Sequence, residues 1–463
     1  MSNSVDRVYS ATDKNIVLFV ATLSTFFIPF MSSSVNIALP SIGREFSLDA
    51  MWLSWVFTAF LLASVILLLP FGKISDTYGR KKAFNYGMIV FTMASLACGL
   101  SSSAVMFIAF RVVQGVGGSL IFVNGVAMIT SVYPANERGN ALGINIAAVY
   151  LGMSLGPVLG GLLTQYLGWR SIFLVCVPFG VIVVAVIFWK LKVEWSEAKT
   201  GKFDLLGSVI CGLAIIALMM GFSSLPELLG IFLILAGIAG ILVFMWWEKR
   251  ADDPILQMGL FKNNPVYLFS NFAALINYSS TFSVMFLMSL YLQYAKGLNP
   301  LHAGLIIIAM PAMQALFSPI AGRLSDRIRP RTLASMGMGL TTLSLVLFAF
   351  IDQDTWMGYL LIGLIVMGLG IALFISPNTN AIMGSVESRF YGTASATLST
   401  MRQVGIMISM GIAMSMFAIL IGRVEITPEY YPAFIQSLRF IFPIAAIICS
   451  SGVFLSLVGG GKK

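Results

Sequence analysis

The string GKISDTYGRKK, Gly72–Lys82, closes one long apolar run, and GRLSDRIRPR, Gly322–Arg331, closes another 250 residues later. Each places a glycine four residues before an aspartate and surrounds the pair with bases. The same polar signal at the end of two apolar runs predicts two equivalent loops on one face of a membrane. The chain therefore reads as a duplicated membrane protein with a pair of gates.

The composition around those strings agrees. The 463 residues are 58% hydrophobic and only 10% charged, with a mean hydropathy of +0.92, which leaves too little polar surface for a water-facing domain. A net charge of +9 in a soluble protein would suggest nucleic acid. Here the bases sit between apolar runs and report topology instead, so no nucleic-acid partner is expected and the lipid bilayer is.

Fourteen stretches approach or exceed the roughly 18 to 20 residues that a membrane helix requires. They begin near Ile16, Met51, Ala83, Ala104, Gly139, Ser171, Leu205, Leu228, Val266, Ala303, Thr332, Met357, Gly392 and Ala433. They are continuous rather than alternating, which excludes a transmembrane β-barrel and predicts an all-α integral membrane protein. Of the 28 Lys and Arg, Arg44, Arg170, Lys296, Arg423 and Arg439 fall on one face, Arg111 and Arg402 lie within spans, and the remaining 21 fall on the other face. That bias puts the base-rich face and both termini in the cytoplasm, as a multi-pass protein of the cell membrane. The first span runs on to Pro40, too long for a signal-peptide core, and reads as a retained helix. Cys98, Cys176, Cys211 and Cys449 are scattered without pairing spacing and read as small packing residues.

The loop strings end the second and tenth spans, so the repeat is not half of fourteen. Setting aside spans seven and eight leaves six plus six, with one loop string after the second helix of each half. The expected organisation is a six-helix bundle over residues 1–190, linkers with an inserted two-helix hairpin over 191–262, and a second six-helix bundle over 263–463. Such repeats are typical of transporters, whose halves rock about a midplane site.

At this level the sequence resembles the major facilitator superfamily, in its fourteen-helix drug:proton antiporter branch. Gly72, Asp76, Gly79, Arg80 and Lys81 match the family's loop motif, with Gly322, Asp326 and Arg327 as the second copy. Arg111, Gln114, Gly115 and Gly117 match its helix-four motif, and GMSLGPVLGG, with Gly152, Gly156, Pro157, Gly160 and Gly161, its helix-five exporter motif. VNIALP at Val35–Pro40, SPN at Ser376–Asn378 and RQVG at Arg402–Gly405 resemble further features of the branch. One departure is plain: many relatives carry an aspartate where this chain has Met31, so their helix-one cation or proton site is not carried over.

All 19 acidic residues fall in connections or at helix ends under this topology. Arg111 and Arg402 are the intramembrane charges: each either borders the cavity and serves coupling, or snorkels or braces backbone carbonyls. Asp76 and Asp326 either latch the cytoplasmic side by pairing with helix starts and arginines of the other half, or only fix loop geometry. His302, the sole histidine, reads as a capping or exposed group. If helices one, four, nine and twelve line the cavity as in the family, Asn36, Asn124, Asn277, Tyr278, Asn378, Asn380 and Arg402 are candidate contacts. Gln314 and Gln403 come from neighbouring helices, and some of these amides must be helix-to-helix glue.

No cluster has metal-ligand spacing and no phosphate-binding glycine loop appears, so a transporter without cofactor is expected rather than an enzyme. The expected function is export of amphipathic or lipophilic small molecules by a monomer using alternating access, with proton antiport implied by the resemblance. The alternative is transport of a neutral or anionic metabolite that uses Arg111 and Arg402 without an intramembrane carboxylate. A membrane sensor that moves no solute is a third reading.

Overall fold

The structure is a computed structural model, and it describes residues 11–133, 135–191, 204–250, 258–325, 327–387 and 391–458. Among them every regular element is helical: α1 (Ala11–Phe46), α2 (Ala50–Tyr78), α3 (Arg80–Gly99), α4 (Ala104–Val132), α5 (Ala135–Leu167), α6 (Arg170–Lys190), α7 (Leu205–Ser223), α8 (Leu228–Glu248), α9 (Met258–Asn263), α10 (Pro265–Leu290), α11 (Pro300–Ile307), α12 (Ala309–Ser325), α13 (Pro330–Ala349), α14 (Met357–Gly384), α15 (Tyr391–Leu420) and α16 (Tyr431–Val458). Among the described residues thirteen spans are long and apolar enough to cross a membrane, with α11 and α12 forming a single one. The remaining helix, α3, has 20 residues and packs along α4 and α6. Its start, with Arg80, Lys81, Lys82 and Asn85, dilutes its hydropathy. The fourteen spans begin within a few residues of where the apolar runs place them.

Local chemistry sets the breaks between spans. Asp49 caps α2 by accepting from the Trp52 amide, and Ser103 caps α4 in the same way. Asn264 and Asn299 cap α10 and α11, each with proline in the first turn, where the missing N–H costs nothing. Asp204 caps α7 and also accepts from the Trp247 indole, which ties the start of the hairpin to its end. Between α2 and α3 the chain turns on Gly79 alone, at φ 112°, a conformation that strains any residue with a side chain.

The helices α1–α6 form one bundle and α10–α16 another, and the same pairs touch in both. The contact of α1 with α5 repeats as α10 with α15, α3 with α4 as α13 with α14, α2 with α4 as α12 with α14, and α3 with α6 as α13 with α16. The repeat extends to single atoms. A Cβ on Gly152 would come within 2.3 Å of the Phe26 carbonyl, and one on Gly405 within 2.6 Å of the Leu275 carbonyl. Absence of a side chain thus lets α5 lie against α1, and α15 against α10, with backbones in contact.

Between the bundles, α1 meets α10, α2 meets α15, and α5 meets α11 and α12. The hairpin places α7 against both α2 and α15, with α8 outside it. The seam between α2 and α15 is therefore covered by α7, whereas the α5–α12 seam has no such cover among the described residues.

Candidate functional site

The face carrying Gly72 and Gly322 is the motif face. Three hydrogen bonds at the loop motifs stay within their own halves. Arg80 donates to the Ser131 hydroxyl of α4 at 2.9 Å. Asn124 donates to Ser75 at 2.8 Å, and Asn380 donates to Ser325 at 2.6 Å. Each asparagine therefore holds the serine directly before a loop aspartate, and both act as internal braces. In the sequence both are candidate cavity contacts, with helix-to-helix glue as the alternative. Ser75 and Ser325 were not singled out, although the shared SD pair of the two strings was their signal. Gly72 and Gly322 have only ordinary contacts near them, with the Val123 and Ser376 side chains. Arg327 is exposed. The Asp76 side chain and all of Asp326 lie outside the described residues.

Arg111 is 1% exposed and wholly enclosed by the first bundle. Its Nε donates to the Val56 carbonyl at 3.1 Å, its Nη1 donates to Gln114, and its guanidinium lies 4.7 Å from the Phe60 ring centre. Gln114 continues the chain, donating to Ser95 at 2.8 Å and lying 3.1 Å from the Met31 sulfur. So Met31, at the position where many relatives carry an aspartate, touches the polar chain that leads to Arg111. Nη2 of Arg111 has no hydrogen-bond partner among the described residues.

Contacts between the bundles gather toward the face opposite the motifs. Ser289 donates to the Asn36 carbonyl at 2.6 Å, and Gln293 to the Ile37 carbonyl at 2.9 Å. Gln293 sits in a π turn, Tyr291–Ala295, that extends α10. The helix-five motif contributes here. Gly152, Gly156 and Gly160 face α1 within their own half, but Gly161 faces Pro300 and Leu301 of α11, and the Pro157 carbonyl faces Gly304. These close approaches seal that side of the molecule.

Near the middle of the spans a second cluster joins the halves. Arg402 of α15 lies near Tyr278 of α10 and Tyr150 of α5, and Tyr150 lies near Ser318 of α12. All three large side chains are partly exposed. Tyr150 and Ser318 were missed by sequence reading.

The other candidates serve packing or capping. Asn378 donates to the Ser270 carbonyl at 3.1 Å within the second bundle. Gln314 is buried, and its carbonyl accepts from Ser318. Asn277 is fully buried, with neither amide atom partnered among the described residues. Gln403 lines a narrow cleft between α2, α7 and α15 together with Val65, Ile66, Ser208, Cys211 and Thr400. His302 is exposed and its ring joins the Asn299 cap at 2.7 Å. Among the described acids Glu248 is the buried one, 2% exposed at the last residue of α8.

The Major Facilitator Superfamily model matches residues 21–204 and 270–459, so it covers both bundles and passes over the hairpin. The chain belongs to the Major Facilitator Superfamily. It is 28% identical to the riboflavin transporter RibZ of Clostridioides difficile, over 96% of this chain and 97% of that one. It is 30% identical to the methylenomycin A resistance protein of Bacillus subtilis, over 89% of each. With the multidrug resistance protein Stp of Mycobacterium tuberculosis it shares 29% identity, over 87% of this chain and 76% of Stp. A bacterial homologue of the human lysosomal transporter Spinster shares the fold at 17% identity, with a TM-score of 0.68 over 97% of this chain and 98% of that one. This member of the superfamily is a multi-pass membrane transporter, and its relatives include drug-resistance proteins.

Proposed function

We propose that this transporter exports amphipathic or lipophilic small molecules across the cell membrane by alternating access, with proton antiport as the energy source. The observation that carries the reading is the position of the helix-five motif. Its final glycine, Gly161, meets α11 of the other half where the bundles are sealed, so the exporter motif lies on a surface that must part for the opposite state. Relatives named for resistance to methylenomycin A and to multiple drugs support export. The division at 1–190, 191–262 and 263–463 is the one these contacts favour, with the motif face cytoplasmic and the chain acting as a monomer. Asp76 and Asp326 are proposed as latches on that face.

Everted membrane vesicles test this reading. Dye uptake should follow an inside-acid gradient and stop when the gradient is collapsed. Uptake indifferent to the gradient would sink proton antiport, and no uptake of any dye would sink export.

A second reading is favoured by Arg402. A cation between the halves suits a neutral or anionic solute, and a riboflavin transporter matches nearly the full length of the chain. Amphipathic cargo and a neutral or anionic charge are compatible.

A further inference from the structure

In VNIALP, Val35–Pro40, the last residue decides what one of the others can do. Pro40 lies inside α1 and has no N–H, so the carbonyl four residues before it, that of Asn36, receives no bond from its own helix. Within a bilayer a carbonyl freed in this way needs a donor from a neighbouring helix. Here the donor comes from the other half, where the Ser289 hydroxyl of α10 reaches the Asn36 carbonyl at 2.6 Å. Beside it, the Gln293 amide donates to the Ile37 carbonyl at 2.9 Å and to the Ser289 hydroxyl at 3.1 Å. Asn36, Ile37, Ser289 and Gln293 are all buried, and in such surroundings an acceptor left without a donor is costly.

The donor arm departs from the α-helix as well. Gln293 belongs to the π turn Tyr291–Ala295, where the Lys296 N–H bonds to the Tyr291 carbonyl at 3.1 Å. Single π turns within helices frequently mark functional sites. Tyr291 is buried, and its hydroxyl donates to the Asp352 carbonyl in the loop between α13 and α14. That bond seats the turn on its own half. A braced donor arm of one bundle thus meets a proline-freed acceptor of the other. The bonds between them exist only while the halves touch at the face opposite the motifs, whereas contacts inside one bundle survive a rigid-body movement.

We propose that Pro40 creates the acceptor of a latch that holds this face shut, with Ser289 and Gln293 as its donors. The inference rests on the alternating-access reading and goes beyond it by naming the bonds that must break for the face to open. Parting the halves takes the donor from the Asn36 carbonyl until water enters, which weights the equilibrium toward the closed form. Restoring an N–H at position 40 gives that carbonyl a partner within α1 and removes its dependence on Ser289.

A cysteine reporter tests the latch without reference to any cargo. Met285 is 8% exposed and lies one turn before Ser289 on the same face of α10. Met285→Cys is placed in a chain freed of Cys98, Cys176, Cys211 and Cys449, and an impermeant maleimide is added to the face opposite the motifs. Ser289→Ala and Gln293→Leu should each speed labelling about three- to tenfold, the worth of one hydrogen bond in the equilibrium. Ser289→Thr keeps the hydroxyl and should stay within about twofold of the parent. Pro40→Ala should also speed labelling, and adding Ser289→Ala to it should change the rate by less than about twofold, because the two substitutions remove the same bond. Pro40→Gly restores the same N–H and replaces Pro40→Ala if that variant does not fold. The latch is overturned if Ser289→Ala and Gln293→Leu both stay within about twofold of the parent, and the role of Pro40 if its effect and that of Ser289→Ala multiply. Gly161→Ala separates the latch from the reading beneath it, since its Cβ would fall 2.5 Å from the Pro300 carbonyl across the same seam. Faster labelling in Gly161→Ala with none in the latch variants defeats the latch alone. Labelling unchanged in every variant while transport proceeds defeats alternating access and the latch with it.

Discussion

Arg111 and Arg402 look alike in the sequence, as single cations within apolar spans, yet their surroundings assign them different work. Arg111 is enclosed by one bundle and reaches a backbone carbonyl, a glutamine and an aromatic ring. Arg111→Gln is expected to lower the transport rate by about tenfold or more while the affinity for a transported dye stays within about twofold, since a group enclosed within one bundle acts on turnover rather than binding. Stopped-flow efflux beside polarisation binding would check it, and a parallel loss of affinity would return Arg111 to the ligand site. Met31 offers a companion test. A carboxylate introduced by Met31→Asp costs about 3 kcal/mol on insertion scales, but here it would lie next to Gln114 and within the network of Arg111. The single variant should melt close to the parent, and the double variant with Arg111→Gln well below the sum of the two singles. Additive melting shifts would show that Met31 and Arg111 are not coupled.

At the scale of helices, glycine contacts within a half should behave differently from those across the seam. At Gly304 a Cβ would fall 2.1 Å from the Pro157 carbonyl of the other half. Gly304→Ala therefore obstructs closure of the face opposite the motifs and favours the alternate state. A cysteine at Met285, which is 8% exposed, in a chain freed of its four native cysteines, should then label several-fold faster with an impermeant maleimide added to that face. Gly143→Ala is the control, because nothing lies within 4 Å of a Cβ there. Equal labelling in the two variants would refute the seal. Gly405→Ala, by contrast, strains contacts inside one bundle. It should lower thermal stability without changing the labelling rate.

For the whole molecule the hairpin is the informative element. It lies outside the family match, yet α7 touches both halves at the α2–α15 seam. Replacing Asp204–Glu248 with a flexible linker should leave dye binding within about threefold, because the two bundles that the family match covers are kept whole. The melting temperature should fall, since apolar surface on α2 and α15 loses its protein partner. Loss of binding on excision would make the hairpin part of the site.

The amino-acid sequence determined the helices and their number, because in a bilayer each span must satisfy its own backbone and be apolar over its length, and both requirements are local. It also determined the repeat, through the paired loop strings and glycine-rich helices. Tertiary structure alone decided the partners. Asn124 and Asn380 became braces for Ser75 and Ser325, Arg111 was enclosed within one half, and Tyr150 joined Tyr278 and Arg402 between the halves. A buried amide or guanidinium is equally costly wherever it sits on an apolar helix, and its role depends on which donor or acceptor a neighbouring helix brings to it. That choice follows from helix packing, set here by glycines spaced far apart along the chain, and no stretch of sequence contains it.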